Sequence, residues 1–185
     1  MPKKEGGIRP SANWKMLVRA DTEKLVLLDN NILASDYGIH QLEELADTDY
    51  RLDLNQGMDI SLINEDITAI LAKIKWLKYI RFSCDDGYKL QHFERMAYLF
   101  KKHGIGLSKV FIYILVRKDL GAADYRVQEL NKIYKNFNLY AQAERNPGIV
   151  PSRLQLDFAQ KYVYKGLYKR ETWRQYCRRL GLDSG

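Results

Sequence analysis

The feature that most constrains this chain is the regular return of short apolar segments. Leu25–Leu28, Tyr50–Leu54, Tyr79–Ser83, Val110–Val116 and Asn138–Ala143 are each rich in apolar or β-branched residues and bounded by turn formers, the signature of buried strands. Their first residues are separated by 25, 29, 31 and 28 positions. Each interval holds a strand, a crossover helix and two loops, the length that a parallel pair of strands requires. The spacing predicts an α/β fold built from a run of βα units.

The intervening segments carry a helical period. Between Asn64 and Leu77, the residues Ile67, Ile70, Leu71, Ile74 and Leu77 fall on one helical face, with Asn64 placed to cap it and Glu65 and Asp66 in the first turn, where carboxylates favour the positive end of the helix dipole. Leu90, Phe93, Ala97 and Phe100 make the next stripe, which Gly104 is placed to stop. Val127, Leu130, Tyr134 and Phe137 make another, and a shorter amphipathic helix is expected around Gln41–Leu45. After the breaker Asn146-Pro147-Gly148, Ser152 and Gln155 have capping-box spacing. Two C-terminal helices are expected there. In the second, Arg170, Arg174 and Arg178 form one stripe and Trp173, Cys177 and Leu180 another; the arginines read either as a phosphate-binding stripe or as a solvated outer face. The division expected is a basic N-terminal segment (1–24), a βα core (25–148) and a helical extension (149–185).

Composition narrows the class. The chain has 185 residues, 46% of them apolar and 29% charged, an ordinary globular balance that excludes wholesale disorder. No apolar run approaches the ~18 residues of a membrane span, and two cysteines far apart argue against a disulfide framework. With no apolar signal region after Met1, a cytoplasmic protein without a membrane is expected. The net charge of +7 sits at the ends: residues 1–20 hold five basic and one acidic side chain, and residues 151–185 hold eight and three, leaving 17 against 19 between them. Basic ends suit an anionic partner, nucleic acid included, or solvated helix faces.

In a parallel βα sheet or barrel, ligand sites form where the carboxyl ends of the strands converge. Here the strands run into Asp29-Asn30-Asn31, Asn55-Gln56-Gly57-Met58-Asp59, Ser83-Cys84-Asp85-Asp86-Gly87, Arg117-Lys118-Asp119 and Gln142-Ala143-Glu144-Arg145. Every predicted strand ends polar. Phosphate-loop, dinucleotide and paired-cysteine motifs are absent, and His40, His92 and His103 share no metal-ligand spacing. Cys84 reads as a small buried hydrophobe rather than a nucleophile.

The segments LVLLDNNILAS, LDLNQGMDI, IRFSCDD, IYILV and YAQAERNPG, in that order between Leu25 and Gly148, resemble the radical S-adenosylmethionine enzymes, specifically a bacterial and phage-type group. The resemblance covers nearly the whole chain. It implies a partial (β/α) TIM-like barrel, here with about five parallel strands plus C-terminal helices. By position it implies that Asp29, Asn30 and Asn31 face the amino group of S-adenosylmethionine. Asn55, Gln56, Ser83 and Asp85 would face its ribose and carboxylate, with Arg117, Gln142 and Arg145 on later strands. A DNN sequence stands where the family carries a GGE-type signature. The family reaction is reductive cleavage of S-adenosylmethionine at a [4Fe–4S] cluster to give a 5′-deoxyadenosyl radical. Its CxxxCxxC loop is missing here, and Pro2-Lys3-Lys4-Glu5-Gly6-Gly7 looks like the stretch that follows it. A truncated or cluster-less domain is therefore expected, with no cluster in this chain and no radical chemistry by it alone. The substrate is left open, and losing an edge strand exposes a sheet edge through which two copies would pair. Tyr162, Tyr164, Tyr168 and Trp173 are expected either over the barrel mouth or on its flank. Two other readings compete: a binding module that holds nucleic acid or another anionic partner through its basic ends, and a divalent-metal barrel enzyme using Asp29, Asp53, Asp59, Asp85 and Glu144.

Overall fold

The computed structural model describes residues 13–19, 21–28, 31–145, 148, 150–162 and 170–182. Among these residues six strands and six α-helices follow in the order β1 (Lys24–Leu27), α1 (Asp36–Ala46), β2 (Arg51–Leu54), α2 (Glu65–Lys73), β3 (Lys75–Trp76), β4 (Ile80–Ser83), α3 (Leu90–Lys102), β5 (Val110–Val116), α4 (Leu120–Ile133), β6 (Asn138–Ala143), α5 (Arg153–Lys161) and α6 (Trp173–Leu180). All pairings are parallel. They make two three-stranded sheets, β1-β2-β3 and β4-β5-β6, with Leu25 opposite Leu52 in the first and Ile112 opposite Leu139 in the second. The sheets meet at a bridge between Met58 and Phe82, where the Met58 amide donates to the Arg81 carbonyl at 2.9 Å. Among the described residues no helix is long and apolar enough to cross a membrane.

Period-two alternation assigns the two faces. In β5, Val110, Ile112, Ile114 and Val116 are buried while Phe111, Tyr113 and Leu115 are half-exposed, and β2 and β4 alternate in the same way. The buried set packs against the apolar stripes of the helices: Phe82 meets Phe93 and Phe100 of α3, and Leu42, Leu71, Val127 and Phe158 join the same core. Trp14 and Trp173 belong to that core as well. Successive helices α1 to α4 each touch the next, so they form one layer, and the opposite sheet face carries none of their stripes.

Local signals set the element ends. Asn64 caps α2 by accepting from the Ile67 amide at 2.8 Å. Ser152 with Gln155 and Thr172 with Gln175 form complete capping boxes, and Gly104 takes the left-handed conformation at φ 73° that ends α3. The helix expected around Gln41–Leu45 extends back to Asp36, because Ser35 accepts from the Gly38 amide. Gly38 must be small: a Cβ there would stand 2.0 Å from the Ile32 carbonyl oxygen.

The structure departs from expectation in three places. The helix predicted to run to Leu77 stops at Lys73, and Lys75–Trp76 form an additional strand on β2. The Leu77 amide reaches the Leu52 carbonyl at 2.8 Å and the Trp76 indole donates to the Leu71 carbonyl at 2.9 Å, so tertiary hydrogen bonds override the helical period. About five strands thus become six, split between two sheets. The stripe of Tyr134 and Phe137 also outruns its helix, which ends at Ile133; Phe137 is buried all the same. Finally, α6 begins at Trp173 behind its Thr172 cap, so Arg170 precedes the helix and the three-arginine stripe is not continuous. Arg174 and Arg178 are exposed while Trp173 and Cys177 are buried.

Candidate functional site

Parallel pairing puts the carboxyl ends of the strands along one rim. The ladder hydrogen bonds continue one step past the strands, Asn55 to Leu27, Cys84 to Tyr113 and Glu144 to Val116, at 2.8–3.1 Å, which fixes where each loop leaves. The 55–59 loop then crosses close to β4. Gly57 permits this approach, since a Cβ there would lie 3.1 Å from the Phe82 carbonyl carbon.

Two polar clusters result. In the first, the Asp59 amide donates to Asn31 Oδ1 at 3.2 Å, and Asp59 Oδ1 accepts from the Ser61 amide and hydroxyl at 3.0 and 2.9 Å. The buried Lys89 places its Nζ 3.6 Å from Asp59 Oδ1 and 3.5 Å from Ser83 Oγ. In the second, Arg117 pairs with Asp86 at 2.9 Å and lies 3.8 Å from Glu144. The hydrogen bond from Arg117 to Asp86 raises the guanidinium pKa further. Beneath the rim, Arg126 is buried and donates through Nη2 to the Leu115 carbonyl at 2.7 Å; burial lowers its pKa from the ordinary guanidinium value.

The expected site residues divide among these places. Asn31 and Ser83 belong to the first cluster and Arg117 to the second. The Asn55 carbonyl accepts from the Tyr113 hydroxyl at 3.3 Å. Asp85 is half-buried on the loop between the clusters. Gln56, Gln142 and Arg145 are exposed, Gln142 on the sheet face away from α1 to α4, in register with Leu115. Asp29, Asn30, Tyr164 and Tyr168 lie outside the described residues. Tyr162 and Trp173 are buried against Phe158, on the flank rather than over the rim. Lys89 was not singled out from the sequence; a lysine just before a helical stripe reads as a solvated end, and only its burial against Asp59 and Ser83 marks it.

Of the carboxylates proposed for a metal, Asp53, Asp59 and Glu144 each stand beside a cation instead, and Asp29 lies outside the described residues. Asp53 pairs with Arg81 on the sheet face, Asp59 with Lys89, and Glu144 stands beside Arg117. Among the described residues no three histidine, cysteine or carboxylate side chains are grouped to hold an ion. A [4Fe–4S] cluster does not fit this chain's thiols either: Cys84 and Cys177 are both buried and sit on different elements, whereas cluster ligation takes several thiolates together. The rim does bring the Lys89 ammonium, the Asp59 carboxylate, the Ser83 hydroxyl and the Asn31 carboxamide together in one polar cluster.

Two expectations follow for the rim. Burial pushes the Cys84 thiol up to about 12, so at neutral pH a thiol reagent such as dithionitrobenzoate should leave both cysteines unmodified in the native chain and modify both after denaturation. Rapid native labelling of Cys84 would contradict this packing. For Asp59, burial works to raise the carboxyl pKa, but the Ser61 amide and hydroxyl and the Lys89 ammonium outweigh it and hold the group below its usual range. Asp59 therefore contributes stability that is complete above the ordinary aspartate value of about 3.9 and is lost as pH falls through the lower folded value. Urea midpoints at pH 6 and pH 3 should diverge more for the native sequence than for Asp59→Asn; equal pH dependence would remove the linkage.

No protein-family model, no curated protein and no solved structure matches this chain.

Proposed function

We propose that this chain is a partial (β/α) barrel of radical S-adenosylmethionine type and takes S-adenosylmethionine at the carboxyl ends of its strands. The observation that carries the reading is one rim on which successive parallel strands, bridged at Met58 and Phe82, gather Asn31, Asp59, Ser83 and Lys89 into a connected cluster. In-order parallel strands with a single helix layer are the arrangement of a barrel segment. The ordered motifs between Leu25 and Gly148 support the same reading.

The roles follow from charge. Lys89 and Arg117 offer cations to the carboxylate of the methionine moiety, while Asn31 and Asp59 offer acceptors to its amino group. Asn55, Ser83 and Asp85 offer partners to the ribose hydroxyls. S-adenosylmethionine supplies a sulfonium carbon–sulfur bond open to one-electron cleavage; this chain supplies binding and orientation, and no cluster ligation is assigned to it.

Calorimetric titration with S-adenosylmethionine and S-adenosylhomocysteine tests the proposal. Saturable binding of both is expected, weakened about tenfold or more by Lys89→Met, the loss of one hydrogen bond from a charged donor. No saturable heat at millimolar ligand, or binding unchanged by that substitution, would overturn it.

A further inference from the structure

The sheet face opposite the helices carries a connected row of aromatic rings. Tyr79 lies 5.3 Å from Phe111, Phe111 lies 5.1 Å from Tyr113 and 5.9 Å from Tyr140, and Tyr113 lies 5.9 Å from Tyr140, centroid to centroid. The row runs from Tyr79, just before β4, across β5 to β6, with Ser83 of β4 paired to Tyr113 and Tyr113 to Tyr140. Tyr140 is 37% exposed and the other three are half-buried. Two of these four ring pairs meet edge to face and the other two are tilted, so none of them is a closed parallel stack. The apolar face of these strands, against the helices, already has its partners.

Cations outnumber carboxylates among the charged side chains on and beside this face. Lys24 and Arg51, opposite each other in β1 and β2, are exposed, and Lys78 sits 4.9 Å from the Tyr79 ring. Arg81 lies 5.7 Å from the Phe111 ring and 5.9 Å from that of Tyr79, and the Asp53 carboxylate between these cations is paired to it.

We propose that this face is a stacking platform for a single-stranded nucleic acid. A row of rings on adjacent strands, flanked by lysine and arginine, meets both needs of such a ligand: planar bases find ring faces, and the phosphates find cations. Duplex bases are already stacked and cannot reach the rings. A mononucleotide would use one ring and leave most of the row and the flanking cations idle. The inference stands on the sheet face alone and needs neither S-adenosylmethionine nor the strand-end clusters.

Fluorescence anisotropy with a labelled, mixed-sequence 12-nucleotide single-stranded RNA and its blunt duplex, both without S-adenosylmethionine, tests it on the full chain. The single strand should bind the tighter, and raising the salt should weaken it. Tyr140→Ala should reduce its affinity about tenfold, and Arg51→Glu should also weaken it. Tyr98→Ala, an exposed tyrosine on α3, should leave it unchanged. Circular dichroism establishes that each variant is folded. Absent binding, equal affinity for the duplex, or indifference to both Tyr140→Ala and Arg51→Glu would overturn the proposal. So would sedimentation showing a dimer that Tyr140→Ala dissolves, since a second copy would then occupy the face.

Discussion

Replacing Phe82 with alanine should lower the unfolding free energy by about 3–5 kcal/mol, the usual loss for a fully buried phenylalanine. Its ring is completely enclosed, against Phe93 at 6.4 Å and Phe100 at 6.1 Å. The residue also pairs with Ile112 on one side and is bridged to Met58 on the other, so it stands where the two sheets join and where α3 packs on β4. Domains of this size are stable by only about 5–15 kcal/mol, and the loss would bring the variant near the edge of folding. Urea denaturation followed by circular dichroism measures it; a loss below about 1 kcal/mol would mean that the two sheets do not share this core.

The second large effect is expected at Arg81. Its guanidinium pairs with Asp53 and reaches the Leu54 carbonyl, with only 12% and 14% of the two side chains exposed. Arg81→Met would strand a carboxylate in a largely dry site and should cost about 3 kcal/mol. Removing both charges, as in Asp53→Leu with Arg81→Met, should restore much of that, because a buried pair contributes little beyond an apolar pair of similar volume. A double-mutant cycle in urea isolates the coupling. If the single and double variants are equally destabilised, the pair does not hold the sheets together.

Much of this fold is legible in the sequence, and what is not has physical causes. Five strands announce themselves because each is a short apolar run closed by turn residues, and Asn64 and Ser152 mark helix starts because their side chains satisfy amides that the helix cannot. Lys75–Trp76 was hidden inside a continuing helical period: Ile74 and Leu77 fit the stripe equally well, and only the Leu52 carbonyl, distant in sequence, decides between helix and strand. The strand-end rim was legible as a place, since a parallel run fixes where its carboxyl ends converge. Its internal pairing was not, because Asp59 with Lys89 and Asp86 with Arg117 depend on loop paths that residue order does not encode. The pair of Asp53 and Arg81 had a signal. Both alternate with buried neighbours, Leu52 and Leu54 for one and Ile80 and Phe82 for the other, which puts them on the same outer face. The aromatic row stayed hidden for the opposite reason, as Phe111 and Tyr113 merge into an apolar strand in which nothing distinguishes the covered face from the open one.

Hydrogen–deuterium exchange with and without S-adenosylmethionine tests the central claim most directly, because it reports both binding and its place. Added ligand should slow exchange in the rim segments 55–61, 83–89 and 117–119 while leaving the outer turns of α3 and α4 unchanged. No protection at saturating ligand, or protection confined to segments away from the strand ends, would contradict the account.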